Sequence, residues 1–291
     1  MRSQTKRPPK KNITQFALTM PFLNSEYHKL HYATIGNPEN SAVLMLHGFL
    51  GSHQDFEPVL LTLSQHFYCV IPDLPGHGQT VTASNGYTFS AIAQTLLKLL
   101  DNLQIDRAHL LGYSMGGRLA LYTLCTFPER FTRTVLESAS PGLKTAQERA
   151  ERQKRDWAIA HQLETIPLHS FLSHWYQNPL FNSLKNHPAH YQAMLNRRQR
   201  NHPSELASAL RGFSTGVQPS LWNRLSEMGQ PLLFIAGALD CKFVALAQEM
   251  LRTCRQNVVT QADIKVCQGC GHNIHLEAPD RYAQVVVDAF Q

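Results

Sequence analysis

Ser114 stands in a short motif that can make a serine chemically reactive. The residues Gly112-Tyr-Ser-Met-Gly116 follow an apolar run at 108–111 and precede a helix-like run from Arg118 to Cys125. A strand, a tight turn and a helix in this order are typical of a nucleophile elbow, whose glycines let the turn pass close to its neighbours. The first turn of the helix would also direct backbone N–H groups toward whatever the serine engages. Because so short a pattern also arises by chance, its weight depends on partners elsewhere in the chain.

The partners of Ser114 are found later in the chain. A serine hydroxyl needs a base, and an imidazole base needs a carboxylate that orients it. Asp240 follows a late apolar run at 231–236, and His272 directly follows a glycine near the end of the chain. The order Ser114, Asp240, His272 therefore predicts a catalytic triad. His275 is the competing histidine and is assigned a structural or cap-facing role, while Asp240 can also act as the N-cap of the following helix.

Backbone donors for a developing negative charge are predicted at two places. The turn His47-Gly-Phe49 ends a buried strand, and at nucleophile-elbow sites such a turn supplies one N–H group. Phe49 is the candidate donor, and Met115, directly after the serine, is the second. His47 is expected to support the turn and to take no part in the chemistry.

Alternating strand and helix patterns would position these residues. Strands are predicted at 42–46, 67–71, 108–111, 133–136, 231–236 and 264–266, with helices at 89–103, 118–125, 244–254 and 279–290. Two further short strands, at 15–20 and 28–32, are predicted as an antiparallel hairpin at the sheet edge. Such alternation predicts an α/β fold with a mostly parallel central sheet, right-handed crossovers and flanking helices.

The segment 143–220 has a different character. It is helical and polar, with ten Lys and Arg residues against five Asp and Glu residues. We interpret it as a helical cap inserted after a core strand and lying over the mouth of the site, although several of its charges are expected to be ordinary exposed ones. The predicted organisation is thus a core of 13–142 and 221–291, a cap of 143–220 and a leader of 1–12.

The net charge of +6 does not indicate a nucleic-acid-binding protein. Five of the 27 basic residues lie in the leader, so the rest of the chain carries 22 basic against 21 acidic residues. The leader has no apolar segment of a signal peptide and is predicted to be disordered and solvated. A weak contact of the leader with a membrane surface or a polyanion is the less favoured alternative. No apolar run approaches the roughly 20 residues of a membrane span, so no stable membrane association is expected.

The six cysteines favour reduced thiols and a cytoplasmic location. Cys267-Gln-Gly-Cys270 is a C-x-x-C pair, but the glycine before His272 breaks the haem-attachment pattern. No second pair stands at a spacing suited to zinc. We therefore expect neither a metal nor an organic cofactor.

Several longer stretches share one resemblance. They are Gly112 to Arg118, Glu137-Ser-Ala-Ser-Pro-Gly-Leu143, Glu148-Arg-Ala-Glu-Arg152, Trp175-Tyr-Gln-Asn-Pro-Leu-Phe181, Leu206 to Trp222, Asp240-Cys-Lys-Phe243 and Gly271-His-Asn-Ile-His-Leu-Glu277. With the His-Gly-Phe turn they resemble the α/β-hydrolase superfamily and, within it, the 2-succinyl-6-hydroxy-2,4-cyclohexadiene-1-carboxylate synthases of menaquinone and phylloquinone biosynthesis. Several lie in the cap, where unrelated hydrolases differ most, which makes the resemblance specific.

This resemblance implies a lyase that eliminates pyruvate from 2-succinyl-5-enolpyruvyl-6-hydroxy-3-cyclohexene-1-carboxylate, with Ser114 as the base. The partner would be a small tricarboxylate, and the protein a monomer or a weak oligomer. The family's carboxylate-binding arginines fall on Arg118, Arg152 and Arg198, with Arg197 as a competitor for the third place. Guanidinium forks suit such a substrate, because they grip carboxylates through two hydrogen bonds. Tyr113 and Trp175 match pocket-lining positions.

Two other functions use the same residues. A hydrolase of small acidic esters or of C–C bonds would employ the triad with water as second substrate. A binding module that kept the fold without catalysis is the non-enzymatic alternative, which the intact triad disfavours.

Overall fold

The computed structural model describes residues 18–256 and 261–291, so the predicted leader lies outside the described residues. Nine strands form one sheet: β1 (Phe22–Asn24), β2 (His28–Ile35), β3 (Ala42–Leu46), β4 (Tyr68–Pro72), β5 (Val81–Thr82), β6 (Ala108–Tyr113), β7 (Phe131–Glu137), β8 (Leu232–Gly237) and β9 (Ala262–Cys267). Their order is β1-β2-β4-β3-β6-β7-β8-β9, and β5 pairs with β2. Strand β2 pairs antiparallel with β1, β4 and β5. The remaining neighbours in the sheet, in the order β4-β3-β6-β7-β8-β9, pair parallel.

Helices cover both faces of this sheet. They are α1 (Glu57–Leu63), α2 (Phe89–Asn102), α3 (Met115–Thr126), α4 (Ala146–Thr165), α5 (Leu168–Trp175), α6 (Pro188–Arg198), α7 (Pro203–Gly212), α8 (Cys241–Cys254), α9 (Ile274–Glu277) and α10 (Pro279–Phe290). All five residues of β3 and all six of β6 are buried, as expected for central parallel strands covered on both sides. Two apolar clusters result, one on each face of the sheet. The sheet is thereby held as a rigid platform whose strand ends carry the site.

The chain leaves the sheet after β7 and returns with β8, and the helices α4 to α7 lie between these two strands. Helix α4 begins with a capping box, in which the Thr145 hydroxyl accepts from Glu148 N and the Glu148 carboxylate accepts from Thr145 N. Apolar residues of these helices pack together and onto Leu50, in the loop after β3, and Leu276, in the short helix α9 that follows β9. The segment 143–220, called the cap below, therefore lies over the end of the sheet where the predicted site residues are found.

The predicted α/β-hydrolase fold is confirmed, with differences at its edges. Among the described residues the first strand is Phe22–Asn24, and residues 15–17 of the strand predicted at 15–20 lie outside the described part. Only a single bridge joins Thr19 to Thr34. Helix α1 was not predicted, since a helix of seven residues leaves too few turns for its periodicity to stand out. Helix α8 begins at Cys241, three residues before its predicted start. Within the described ranges, none of the helices has the length and apolar character needed to cross a bilayer.

Candidate functional site

Ser114 connects β6 to α3 in a strained conformation. Its backbone angles are φ 51° and ψ −107°, a region that costs a non-glycine residue about 1–3 kcal/mol. Its N–H donates to Glu137 O at 2.9 Å, which ties the turn to β7. A side chain at Gly116 would collide with the carbonyl oxygen of Leu46, so glycine lets α3 start directly against β3. The predicted elbow is therefore present, with the serine held on top of the sheet.

The three predicted triad residues lie in hydrogen-bonding sequence. Asp240 Oδ2 lies 2.7 Å from His272 Nδ1, and His272 Nε2 lies 3.1 Å from Ser114 Oγ. Because a carboxylate only accepts, Nδ1 carries the proton and Nε2 is free to accept from the serine hydroxyl. Asp240 Oδ1 also accepts from Phe243 N at 3.3 Å, so the same carboxylate caps α8. The arrangement can move a proton from Ser114 to His272 and stabilise the resulting imidazolium.

His275 takes the structural place that the sequence favoured for it. It is fully buried, and its Nδ1–H donates to Glu137 Oε2 at 2.8 Å. Its ring packs edge-on against Tyr113, with ring centroids 4.6 Å apart. Burial and the charge of Glu137 raise the pKa of Tyr113 well above its ordinary value, so its hydroxyl stays neutral. His275 thus packs against the residue next to Ser114 and is held by Glu137.

Phe49 and Met115, the predicted oxyanion-hole donors, follow the ends of two neighbouring parallel strands. In the parallel pair β3 and β6, Leu46 lies opposite Gly112, so Phe49 and Met115 each stand three residues beyond a paired position. In the part of the chain that the structure describes, neither backbone N–H donates to a protein acceptor. Two free donors at the adjacent ends of β3 and β6 could stabilise negative charge next to Ser114.

Two buried histidines brace the loop that carries Phe49. His47 donates from Nδ1 to Gly48 O at 2.8 Å and accepts from Leu74 N at Nε2 at 2.9 Å. His77 accepts from Leu50 N at Nε2, at 3.1 Å, and donates from Nδ1 to Pro75 O. Burial lowers the pKa of both rings, that of His77 to about 3, so both stay neutral and can accept. His47 thus lies where it can support the turn, as expected, and His77 is an additional brace that the sequence did not identify.

Arg118 and Arg152 form a cationic cluster beside the elbow. Arg118 lies one turn into α3, where its N–H donates to Ser114 O at 3.0 Å. Its Nη1 donates to Phe213 O at 2.6 Å and to Gln218 Oε1 at 3.3 Å, and no other nitrogen of its guanidinium bonds to a described residue. Burial and the nearby charge of Arg152 both lower the pKa of Arg118. The guanidinium remains charged at neutral pH, and an anion bound here would relieve the repulsion.

Arg152 comes from the cap. Its Nε donates to Asp156 Oδ1 at 2.7 Å, one turn further along α4, and Ser214 Oγ donates to Asp156 Oδ2 at 2.6 Å. Asp156 is 1% exposed, whereas the side chain of Arg152 is 36% exposed. Asp156 therefore holds one edge of the guanidinium and leaves the other edge open.

Arg198 is placed differently from the prediction. Its Nη1 and Nη2 donate to Asp55 Oδ1 and Oδ2 at 2.6 and 2.7 Å, and its Nε donates to the Tyr176 hydroxyl at 3.3 Å. The residue is 2% exposed. Burial alone would raise the pKa of Asp55, but the charge and hydrogen bonds of Arg198 lower it. Because its fork is already occupied, Arg198 is a buried structural partner of Asp55 in this structure and not a free carboxylate ligand.

Arg197, the competitor for that place, also faces Asp55. Its Nε lies 3.9 Å from Asp55 Oδ1, and its Nη1 lies 3.7 Å from Glu57 Oε2. Its Nε makes no hydrogen bond with a described residue. Both arginines at the end of α6 thus face Asp55.

Aromatic side chains of the cap form a roof above the triad. Trp175 lies edge-on to Phe49, with ring centroids 5.5 Å apart, and Phe181 lies 6.2 Å from His272. Tyr113 is buried beneath, 5.5 Å from His272 between ring centroids. Tyr113 thus packs against His272, and Trp175 packs against Phe49.

One buried group has the composition of a metal site. His31, His53 and Asp73 lie together, but both Nδ1–H groups donate to Asp73, at 2.7 and 2.8 Å. The same carboxylate also accepts from the backbone N–H groups of His53 and Gln79. An ion here would have to replace these hydrogen bonds, so the cluster serves to anchor the loop after β4. All six cysteines, those of the C-x-x-C pair included, are free thiols.

Comparison with known proteins extends these observations. Residues 41–279 match the α/β hydrolase fold family. The chain is 34% identical over 258 residues to the 2-succinyl-6-hydroxy-2,4-cyclohexadiene-1-carboxylate synthase of Salmonella enteritidis, covering 86% of this chain and 96% of that protein. It is 37% identical over 254 residues, 86% of this chain and 90% of the other, to a Bacillus subtilis protein that carries the same name provisionally. The solved structure of MenH from S. aureus superimposes with a TM-score of 0.83 at 30% identity, over 91% of this chain and 98% of that one.

Proposed function

This chain belongs to the 2-succinyl-6-hydroxy-2,4-cyclohexadiene-1-carboxylate synthase family of the α/β-hydrolase fold, and from that membership we propose its reaction. It eliminates pyruvate from 2-succinyl-5-enolpyruvyl-6-hydroxy-3-cyclohexene-1-carboxylate and leaves the cyclohexadiene. The observation that carries the proposal is the placement of a base, Ser114, one helical turn from Arg118, whose guanidinium uses only Nη1 in hydrogen bonds to described residues. A base beside an anion-binding arginine suits proton abstraction from a carboxylate-rich substrate.

Ser114 acts as the base through His272. The serine takes the proton from the ring carbon next to the succinyl ketone, and its own proton passes to His272 Nε2, 3.1 Å away. Asp240, 2.7 Å from Nδ1, stabilises the imidazolium. The electron pair of the broken C–H bond moves through the ring, shifts the ring double bond and breaks the C–O bond. The leaving enolate takes up the proton that His272 holds and becomes pyruvate, which restores the starting protonation of the triad, so no acyl-enzyme and no attacking water take part.

Negative charge builds up on the succinyl ketone oxygen as the proton leaves. The free N–H groups of Phe49 and Met115 are proposed to bind this oxygen. Removal of one such donor typically costs about 10²–10³ in rate. The braces His47 and His77 then matter because they hold the backbone of this loop in place.

Arg118 and Arg152 are proposed to bind substrate carboxylates, with Tyr113 and Trp175 as the floor and roof of the pocket. The two arginines are close enough for mutual repulsion, which two carboxylates of one substrate would neutralise. We propose that Arg198 acts indirectly, by holding α6 to the loop after β3. We further propose that the enzyme is cytoplasmic, which the free cysteines support. We also propose that it is a monomer or a weak oligomer.

The test is to supply the enolpyruvyl substrate and follow pyruvate release through a lactate dehydrogenase assay. Wild type should release one pyruvate for each cyclohexadiene formed, and Ser114→Ala should lose about 10²–10⁴ in kcat. Arg118→Ala should chiefly raise KM, whereas Arg211→Ala, on the cap surface and paired with Glu164, should change neither. If wild type releases no pyruvate above background, the proposed reaction is wrong.

The two alternatives give different results in the same preparation. A hydrolase would incorporate solvent ¹⁸O into its product or accumulate an acyl-enzyme on Ser114. A binding module would bind the tricarboxylate without turnover, and Ser114→Ala would not change its affinity for that ligand.

A further inference from the structure

Two buried carboxylates lie beside His272, and the mechanism above does not use them. Glu137 ends β7, and Glu277 ends α9. They are 0% and 6% exposed. A carboxylate is buried only where hydrogen bonds compensate its lost hydration, so their partners show what they do.

Glu277 bonds the backbone on both sides of the histidine. Its Oε2 accepts from Gly271 N at 2.8 Å, and its Oε1 accepts from Asn273 N at 3.3 Å. These are the residues directly before and after His272. One side chain thereby fixes the peptide units that flank His272 and set the direction of its imidazole.

Glu137 accepts hydrogen bonds from the backbone directly after the residues that Glu277 binds. Its Oε1 accepts from Ile274 N at 2.7 Å and from His275 N at 3.2 Å. The hydroxyl of Ser138 donates to His272 O at 3.1 Å. The loop that carries His272 is therefore held by side chains along its length and packs against the end of β7.

The cap also contacts this loop through Glu277. Ser183 Oγ donates to Glu277 Oε1 at 3.0 Å, and a side chain at Gly271 would collide with that hydroxyl. A second contact joins His190 Nδ1 to Leu276 O at 2.6 Å. The cap is thus bonded to the same carboxylate that brackets His272.

We propose that Glu277 is a positioning residue, which holds His272 at the distance from Ser114 needed for proton transfer and links that distance to the position of the cap. The inference rests on the proposed function for its kinetic readout. Misplacement of a reacting group by about 1 Å can cost about 100-fold in rate. A glutamine at 277 has one acceptor and one donor group, so it cannot accept from both Gly271 N and Asn273 N in this geometry.

The experiment compares Glu277→Gln with Glu39→Gln, an exposed loop glutamate that serves as the matched control. Pyruvate release gives kcat and KM, thermal unfolding reports folding, and the downfield proton NMR signal of the His272–Asp240 hydrogen bond reports the imidazole. Glu277→Gln should lower kcat by about 10- to 100-fold with KM within about threefold, and should shift or broaden the NMR signal. Glu39→Gln should match wild type in all three.

Ser183→Ala tests the link to the cap with a milder change. It should lower kcat by a smaller factor, about two- to tenfold, without a change in Tm. A folded Glu277→Gln protein with wild-type kcat and an unchanged NMR signal overturns the proposal. If Glu277→Gln does not fold, wild-type kcat in both Ser183→Ala and Glu277→Asp overturns it instead. If wild type releases no pyruvate, the proposed function fails, and the NMR comparison still decides the role of Glu277.

Discussion

Arg198 of the cap and Asp55 of the core share two parallel hydrogen bonds of 2.6 and 2.7 Å in a fully buried setting. Loss of one partner from such a pair leaves an uncompensated charge and costs about 3–5 kcal/mol. Arg198→Met should therefore lower the free energy of unfolding by about that amount, as measured by urea denaturation.

The double variant Arg198→Met with Asp55→Leu should recover much of this loss, since no charge is then left buried. A substrate-binding Arg198 would behave differently: the single variant would unfold like wild type and show a raised KM. Arg211→Met, in an exposed cap ion pair, is the control for removal of an arginine and should change stability little.

Substrate binding at positions 118 and 152 should depend on the shape of the guanidinium group as well as on its positive charge. Lysine keeps the charge but loses the fork that binds a carboxylate through two hydrogen bonds. Arg118→Lys and Arg152→Lys should each raise KM about tenfold or more, in line with about 1.5–3 kcal/mol for a hydrogen bond to a charged group. Initial rates of pyruvate release over a range of substrate concentrations measure this. An unchanged KM in both variants would remove these arginines from the binding site, and Arg211→Lys provides the comparison.

His77 should make the protein acid-sensitive. Burial lowers its pKa to about 3 in the folded state, against an ordinary value of 6.5. As the pH falls below about 6.5, the unfolded chain takes up a proton that the folded protein does not bind, so the free energy of unfolding decreases until about pH 3. Denaturation curves between pH 7 and 4 should show a smaller decrease for His77→Gln. His161→Gln, at an exposed position of α4, should keep the wild-type slope; equal slopes for His77→Gln and wild type would contradict the prediction.

Gly116 should not tolerate even a methyl group. A Cβ there meets the carbonyl oxygens of Leu46 and His47, which are backbone atoms that cannot move aside cheaply. Gly116→Ala should destabilise the protein by about 1–3 kcal/mol and lower kcat, because α3 and the oxyanion loop would separate. Gly229→Ala, where the new methyl group meets nothing within 4 Å, should leave both quantities near wild type. Thermal unfolding together with kcat provides the comparison.

The sequence predicted well those parts of the protein that depend on local patterns. The elbow at Ser114 is a contiguous motif, and Asp240 follows a strand that a continuous apolar run reveals. The strand before His272 is only weakly apolar, so His272 was identified from the glycine before it and from the order of the triad residues. The strand Phe22–Asn24 was not predicted, since a short edge strand with burial at only its middle residue has little apolar pattern.

Interactions between distant residues could not be predicted from one sequence. Asp55 lies 143 residues before Arg198, and nothing in the local sequence of either residue identifies the other. Glu137 and Glu277 stood in motifs that we recognised, but their partners are backbone N–H groups of a loop whose path only the fold determines. Carboxylates with backbone partners leave no residue-type pattern to detect.

The insertion of the cap between β7 and β8 also fixes the order in which the site can form during synthesis. Ser114, Arg118 and Arg152 all precede the return of the chain to the sheet, whereas Asp240 and His272 follow it. A nascent chain therefore carries Ser114 and the anion-binding arginines before it has the histidine and the aspartate that make Ser114 a base. Any fragment that ends between Ser114 and His272 contains the serine without a histidine to activate it, so such truncated products of translation should be chemically inert.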